Sequence, residues 1–269
     1  MTKIISICNQ KGGVGKTTTA INLGYYLAQS GKRVLLVDFD PQANATSGLG
    51  VDKSKLEKSI YDILINNGDF KEIIRNVYLP EFQLIPSSIN LTGAEIELIS
   101  FMNREYRLKN AIKDIASEFD FVLIDSPPSL GLLTINALTA ANACLIPIQC
   151  EYYALEGLSQ LLNTINLVRD NLNPDLTIEG VLLTMADYRT NLTSEVIQEV
   201  RTFFKERVFN TVIPRSIRLS EAPGFGKPIH LYDKNSTGAK TYSLLAREVL
   251  GEQIEKGEQE WKKEFLAEA

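Results

Sequence analysis

The sequence predicts an α/β fold: a doubly wound, mostly parallel sheet flanked by helices. Three observations carry that expectation. Short continuous apolar runs recur along the chain, stretches long enough for crossover helices separate them, and the first run feeds a glycine-rich loop that opens a helix. A parallel sheet is covered on both faces by its own crossovers, so its strands read as unbroken apolar runs.

The elements follow in order. Ile4–Cys8 is the first strand, and after the loop Thr17–Gln29 has a helical pattern ended by Ser30-Gly31. Val34–Val37 and Phe82–Ile85 are the next apolar runs. Leu108–Ser117 is helical and leads into the strand Phe121–Ile124, which Cys144–Ile148 follows. Leu155–Asn171 is a helix stopped by Asn173-Pro174, and Gly180–Thr184 is a strand. Ser194–Arg207 is the fourth helix and Thr211–Ile213 the seventh strand. Such alternation implies right-handed crossovers. With no internal repeat and no linker rich in Gly, Ser and Pro, residues 1–250 read as one domain and 251–269 as an acidic, helix-prone extension.

Composition narrows the chemistry. The chain has 269 residues, 44% of them hydrophobic, and no apolar run approaches the roughly 18 residues of a membrane helix. No charged-then-apolar leader precedes the first strand, so the expected location is cytoplasmic. Cys8, Cys144 and Cys150 form no CxxC pair and read as buried, reduced thiols. A single histidine, His230, leaves almost no material for Ser-His catalysis or a histidine zinc site. The net charge of −5 argues against wholesale nucleic-acid binding, yet between Ala186 and Arg247 Lys and Arg outnumber Asp and Glu ten to six.

Residues 9–19, NQKGGVGKTTT, lie between a strand and a helix, where backbone amides and the positive helix end converge on one point suited to a polyphosphate. Gly12, Gly13 and Gly15 permit close approach, with Val14 between them. Lys16 suits the β- and γ-phosphates, the Thr17 hydroxyl suits Mg²⁺, and Thr18 adds a phosphate hydrogen bond. Two further strands end in carboxylates, Asp38 and Asp40 in VLLVDFDPQ and Asp125 in VLIDSPP, at the edge where open α/β sheets bind ligands. The alternative is that these aspartates merely cap turns.

The loop has Gln10 where GxxxxGK[ST] has its first glycine, and its KGGxGK[ST] form resembles the deviant Walker A loop of the ParA/MinD family of P-loop NTPases. Stretches DPQANATSGLG, DSPPSLGLLTINALTAA, QCEYYALEGLSQL and IPRSIRLSEAPGFGKPI extend the resemblance, over residues 2–250, to the ParA or Soj-type chromosome partition ATPases. The resemblance implies an ATPase with ATP and Mg²⁺ as cofactors and Lys11, Lys16 and Asp40 as catalytic residues. Lys11 then reaches across a homodimer to the partner's nucleotide, and Asp40 positions or deprotonates the attacking water. Thr17, Asp40 and Asp125 serve Mg²⁺ directly or through water, Asp38 supports that network, and Ile213, Pro214 and Ser216 lie against the adenine.

The same resemblance implies non-specific double-stranded DNA binding through Arg189 and Arg218, a ParB-type centromere-binding partner that stimulates hydrolysis, and association with the nucleoid. Only Met1-Thr2-Lys3 precede the first strand, so an operator-binding domain ahead of the loop is not expected. The alternative is a MinD-like, membrane-associated ATPase regulating cell division. Its basic amphipathic C-terminal helix is not matched by the glutamate-rich segment 252–264. Biosynthetic relatives acting on small molecules remain a third class on fold alone.

Overall fold

The computed structural model describes residues 2–152, 158–252 and 254. Its strands are β1 (Lys3–Ile7), β2 (Val34–Asp38), β3 (Arg75–Val77), β4 (Leu79–Ile85), β5 (Phe121–Asp125), β6 (Ala143–Gln149), β7 (Thr177–Ala186) and β8 (Val208–Pro214). The helices are α1 (Lys16–Gln29), α2 (Asn44–Gly48), α3 (Ile60–Asn66), α4 (Phe70–Ile73), α5 (Leu91–Glu97), α6 (Arg107–Ala116), α7 (Leu132–Ala140), α8 (Leu158–Asn171), α9 (Asn191–Phe204), α10 (Ile217–Glu221), α11 (Ile229–Asp233) and α12 (Thr237–Val249).

One sheet holds the strands in the order β3-β4-β2-β5-β1-β6-β7-β8, parallel except where β3 joins β4 antiparallel. Alternate residues of each strand serve opposite faces. On one face α1 and α12 pack over Ile5, Leu36, Leu123 and Leu145. On the other, α3, α5, α6 and α7 cover Leu35, Val37, Val122 and Ile124, while α8 and α9 cover Ile146, Val181 and Val212. Each such fully buried aliphatic side chain contributes about 1.5–3 kcal/mol of transfer free energy.

All seven expected strands are present, most of them longer at one or both ends. The eighth, β3, has no sequence signal: three residues reading Arg-Asn-Val at a sheet edge carry no apolar run. Helix α7 is equally unannounced, because LLTINALTA is buried nearly all round and shows no polar stripe. The helix expected over Ser194–Arg207 starts earlier, where Thr190 accepts a hydrogen bond from Thr193 N, and gives way after Phe204 to a 3-10 turn. The expected start of the third helix at Leu155 and nearly all of the acidic extension lie outside the described residues. No helix among the described residues is long and apolar enough to cross a membrane.

Candidate active site

The C-terminal ends of β1, β2 and β5 stand side by side, with Ile7 opposite Asp125 and Asp125 opposite Asp38. β1 lies between β5 and β6, so its following loop leaves the sheet where chain order reverses, the position at which open α/β sheets take ligands.

Residues 9–15 form that loop and tether it to neighbouring strands. Asn9 Nδ2 donates to Pro147 O (2.7 Å) while Asn9 Oδ1 accepts from Lys11 N (3.0 Å), and the Thr184 hydroxyl donates to Val14 O (2.9 Å). Gly15 caps α1 in the left-handed region (φ 91), where a side chain would be strained, and no side chain caps the helix. The first-turn amides therefore remain available to an anion. Gly12 lies against the Pro127-Pro128 turn, with a Cβ there 3.9 Å from Pro128 Cβ.

Lys16 folds back into the loop, where its Nζ donates to Lys11 O (3.0 Å) and only 6% of the residue is exposed. Burial lowers its pKa, against the raising influence of Asp125 and Asp40. The three aspartates differ sharply. Asp38 is fully buried and accepts from Thr46 N (2.7 Å), Thr46 Oγ1 (2.6 Å) and Asp40 N (3.3 Å). Its pKa is nevertheless pushed up to about 6 by desolvation. Asp40 Oδ1 accepts from Gln42 N (2.9 Å), leaving its other oxygen unengaged by any backbone donor of that turn.

Asp125 is fully buried and neither carboxylate oxygen has a hydrogen-bond partner. Burial, and then the charge of Asp38, hold its pKa well above the carboxylate range, while the Thr17 side chain and Lys16 pull the other way without closing a hydrogen bond. A buried, unpartnered carboxylate beside a threonine hydroxyl fits a hydrated cation. No cluster of three or more His, Cys, Asp or Glu that could hold a metal is present among the described residues, so a divalent ion here needs oxygens from its ligand.

Beside the loop lies a cavity of about 250 Å³, lined by Gly15 and Thr18 at one end and Pro214, Ser216, Leu219 and Pro223 at the other. The expected base-contacting Pro214 and Ser216 thus share one cavity with the phosphate loop. Lys11 stands apart from it: its side chain is 39% exposed on the rim and its Nζ lies 3.7 Å from Glu151 Oε2. Glu151 also accepts from Arg215 (3.3 Å).

Arg189 and Arg218 follow the C-terminal ends of the adjacent strands β7 and β8. Both are exposed and both pair within the chain. Arg189 makes a bidentate contact with Asp187 (2.8 and 2.7 Å), whose carboxyl it holds down to about 2, and Arg218 meets Glu221 (3.1 Å) and Asp233 (3.6 Å). Sequence reasoning misses Asn9, Thr46, Thr184 and Glu151. A polar residue directly after a buried strand is a signal for Asn9, whereas Thr46 lies eight residues from the Asp38 it serves and carries no local signal.

Comparison with known proteins agrees with this architecture. The family model described as AAA domain matches residues 2–178. The sporulation initiation inhibitor protein Soj of Bacillus subtilis is 60% identical over 249 residues, covering 93% of this chain and 98% of that protein. The chromosome-partitioning ATPase Soj of Treponema pallidum is 50% identical over 250 residues, covering 93% and 98%. Among solved structures, cobyrinic acid a,c-diamide synthase from Mycobacterium smegmatis, with bound ADP and magnesium, superposes with a TM-score of 0.82 at 38% identity, covering 97% of this chain and 96% of that one. Identity of that order across nine-tenths of the sequence, on a loop and carboxylate row shaped for a polyphosphate, means that the chain belongs to the Soj/ParA family of chromosome-partitioning ATPases.

Proposed function

We propose that the chain is an ATP-dependent switch of chromosome or plasmid partition. ATP with Mg²⁺ drives homodimerisation, the dimer binds double-stranded DNA without sequence preference, and hydrolysis stimulated by a ParB-type partner returns released monomers. Supporting it is one observation above the others: a buried lysine and two buried carboxylates, Lys16, Asp40 and Asp125, gather at the glycine loop, and Asp125 has no hydrogen-bond partner among the described residues.

The roles follow from placement. The amides of Gly12, Gly13, Val14 and Gly15, with Lys16 and Thr18, grip the phosphates. Thr17 and Asp125 would hold Mg²⁺, which when bound would supply positive charge to offset that of the polyphosphate. Asp40 orients the attacking water and Asp38 fixes the Asp40 amide. Pro214 and Ser216 flank the base. Lys11, half exposed on the rim, serves the partner's nucleotide, where a second cation offsets the repulsion of two facing polyphosphates. Arg189 and Arg218 exchange their carboxylate partners for DNA phosphates, and dimerisation doubles that patch. Residues 1–250 act as one ATPase domain in the cytoplasm, on the nucleoid.

Phosphate release measured with the protein alone, with double-stranded DNA, and with DNA plus the ParB-type partner tests the reading. Slow basal turnover stimulated several-fold only by the full mixture is expected. Turnover indifferent to both additions, or ATP-dependent sedimentation with liposomes in place of DNA, contradicts it.

A further inference from the structure

The segment after β8, residues 215–229, lines the cavity as a strap through Arg215, Ser216, Leu219, Ser220 and Pro223. Its far end is fastened to α1, where Ile229 N donates to Asn22 Oδ1 (2.7 Å) and Asn22 Nδ2 donates to Thr18 O (2.8 Å). A second fastening lies at Gly226. There the backbone is left-handed (φ 65), and a Cβ would stand 2.7 Å from Gly50 Cα. Gly50 is left-handed as well (φ 78), and its Cβ would meet both Gly226 O and the Tyr78 hydroxyl at 3.2 Å. Two backbones in direct contact leave room for glycine alone on both sides.

Tyr78 closes this junction. Its hydroxyl donates to Gly226 O from 148 residues away, and its own backbone is left-handed (φ 59), which an aromatic residue adopts only where its surroundings enforce it. On the other side of the junction Gly50 follows α2, whose Thr46 binds Asp38, and Gly48 packs against Ile21 of α1 and Pro223 of the strap. One continuous set of contacts therefore joins the carboxylate row to the wall of the cavity.

Resting on the nucleotide reading above, we infer that Tyr78 is a specificity-determining positioning residue. By pinning the strap to the end of α2 it sets the width of the cavity where the nucleoside sits, so recognition of the nucleoside depends on it and the grip on the polyphosphate does not. Nothing in its sequence neighbourhood carries this role, because Tyr78 lies between the edge strand β3 and its neighbour β4, far in sequence from the loop.

The test is calorimetric titration of wild type and Tyr78→Phe with ADP, GDP and inorganic tripolyphosphate, all with Mg²⁺. The variant removes one hydrogen bond and keeps the ring. ADP affinity is expected to fall about three- to tenfold, the loss typical of one hydrogen bond, with a narrowed preference for ADP over GDP and unchanged tripolyphosphate binding. Unchanged ADP affinity and preference overturn the inference, as does an equal loss for all three ligands. Amide hydrogen exchange on the wild-type protein gives a reading independent of the variant's folding. Protection of residues 216–226 by ADP but not by tripolyphosphate supports the inference, and equal protection by both defeats it. Wild-type protein that binds tripolyphosphate but no ADP defeats the nucleotide reading itself.

Discussion

The phosphate loop and the basic edge, both at the C-terminal ends of strands, handle charge in opposite ways. At the loop, Lys16, Asp38, Asp40 and Asp125 are buried, and the pKa values of Lys16, Asp38 and Asp125 are displaced toward neutrality by lost solvation. At the edge, Arg189 and Arg218 are exposed and already satisfied by Asp187, Glu221 and Asp233. Buried charge without a partner is costly and tolerated where a ligand completes it, whereas exposed ion pairs contribute little and exchange easily. The first region is built for one ligand in one geometry. The second suits a polyanion held by many weak, exchangeable contacts.

Substitutions in each region put that difference at risk. Asp40→Ala should act most strongly, lowering turnover about 10²–10⁴-fold with nucleotide binding retained, read by phosphate release against equilibrium binding. Normal turnover in this variant would remove Asp40 from the catalytic step. Next, Lys16→Ala should weaken ADP binding about ten- to a hundredfold, since it removes a charge-assisted contact in a buried site. On the basic edge, Arg189→Ala or Arg218→Ala should each reduce the salt slope of DNA binding by about one for every phosphate left without its arginine, with folding stability essentially unchanged. An unchanged slope in both variants would clear that edge of DNA contact.

Smaller still are the effects on the ligand-free protein. Asp38 titrates at about 6 in the fold against an ordinary 3.8, so the folded state binds more protons than the unfolded one between those values. Its contribution is full below the ordinary value and is lost as pH rises through 6. Asp120 and Asp187, held down to about 2, contribute fully above the ordinary value and so do not change between about pH 5 and 7. Asp38 therefore favours the ligand-free fold at about pH 5 over about pH 7, a preference that the lowered pKa of His230 opposes and that Asp38→Asn should diminish in melting curves at the two pH values. Asp125→Asn, by removing the cost that burial places on a carboxyl with no hydrogen-bond partner, should stabilise the ligand-free protein by about 0.5–2 kcal/mol while impairing turnover. Destabilisation by Asp125→Asn would mean that the carboxylate is satisfied in the ligand-free state.

How much of this is legible in the sequence depends on sequence distance. The central strands announce themselves because both faces are buried, and the loop because glycines, lysine and threonine stand together between a strand and a helix. The aspartates at strand ends are readable for the same reason. The edge strand β3 and the evenly buried α7 are not, since neither carries a period. Contacts that set the site's shape are also hidden: Thr46 on Asp38, Thr184 on Val14 O, and Tyr78 on Gly226 O each join positions that only the fold brings together. Arg189 and Arg218 are legible as basic residues, but their pairing with neighbouring acids emerges only in three dimensions.

On the proposed mechanism, the site of one chain needs a lysine from a second. Size-exclusion chromatography with light scattering, run with ATP and Mg²⁺ on Asp40→Ala and on Asp40→Ala combined with Lys11→Ala, addresses that requirement. Among the described residues the Lys11 side chain makes one ion pair, the 3.7 Å rim contact with Glu151, and its backbone bonds survive substitution, so Lys11→Ala should leave folding and nucleotide binding intact. Asp40→Ala should elute as a dimer and the double variant as a nucleotide-bound monomer. A dimer in both would mean that no lysine crosses between subunits.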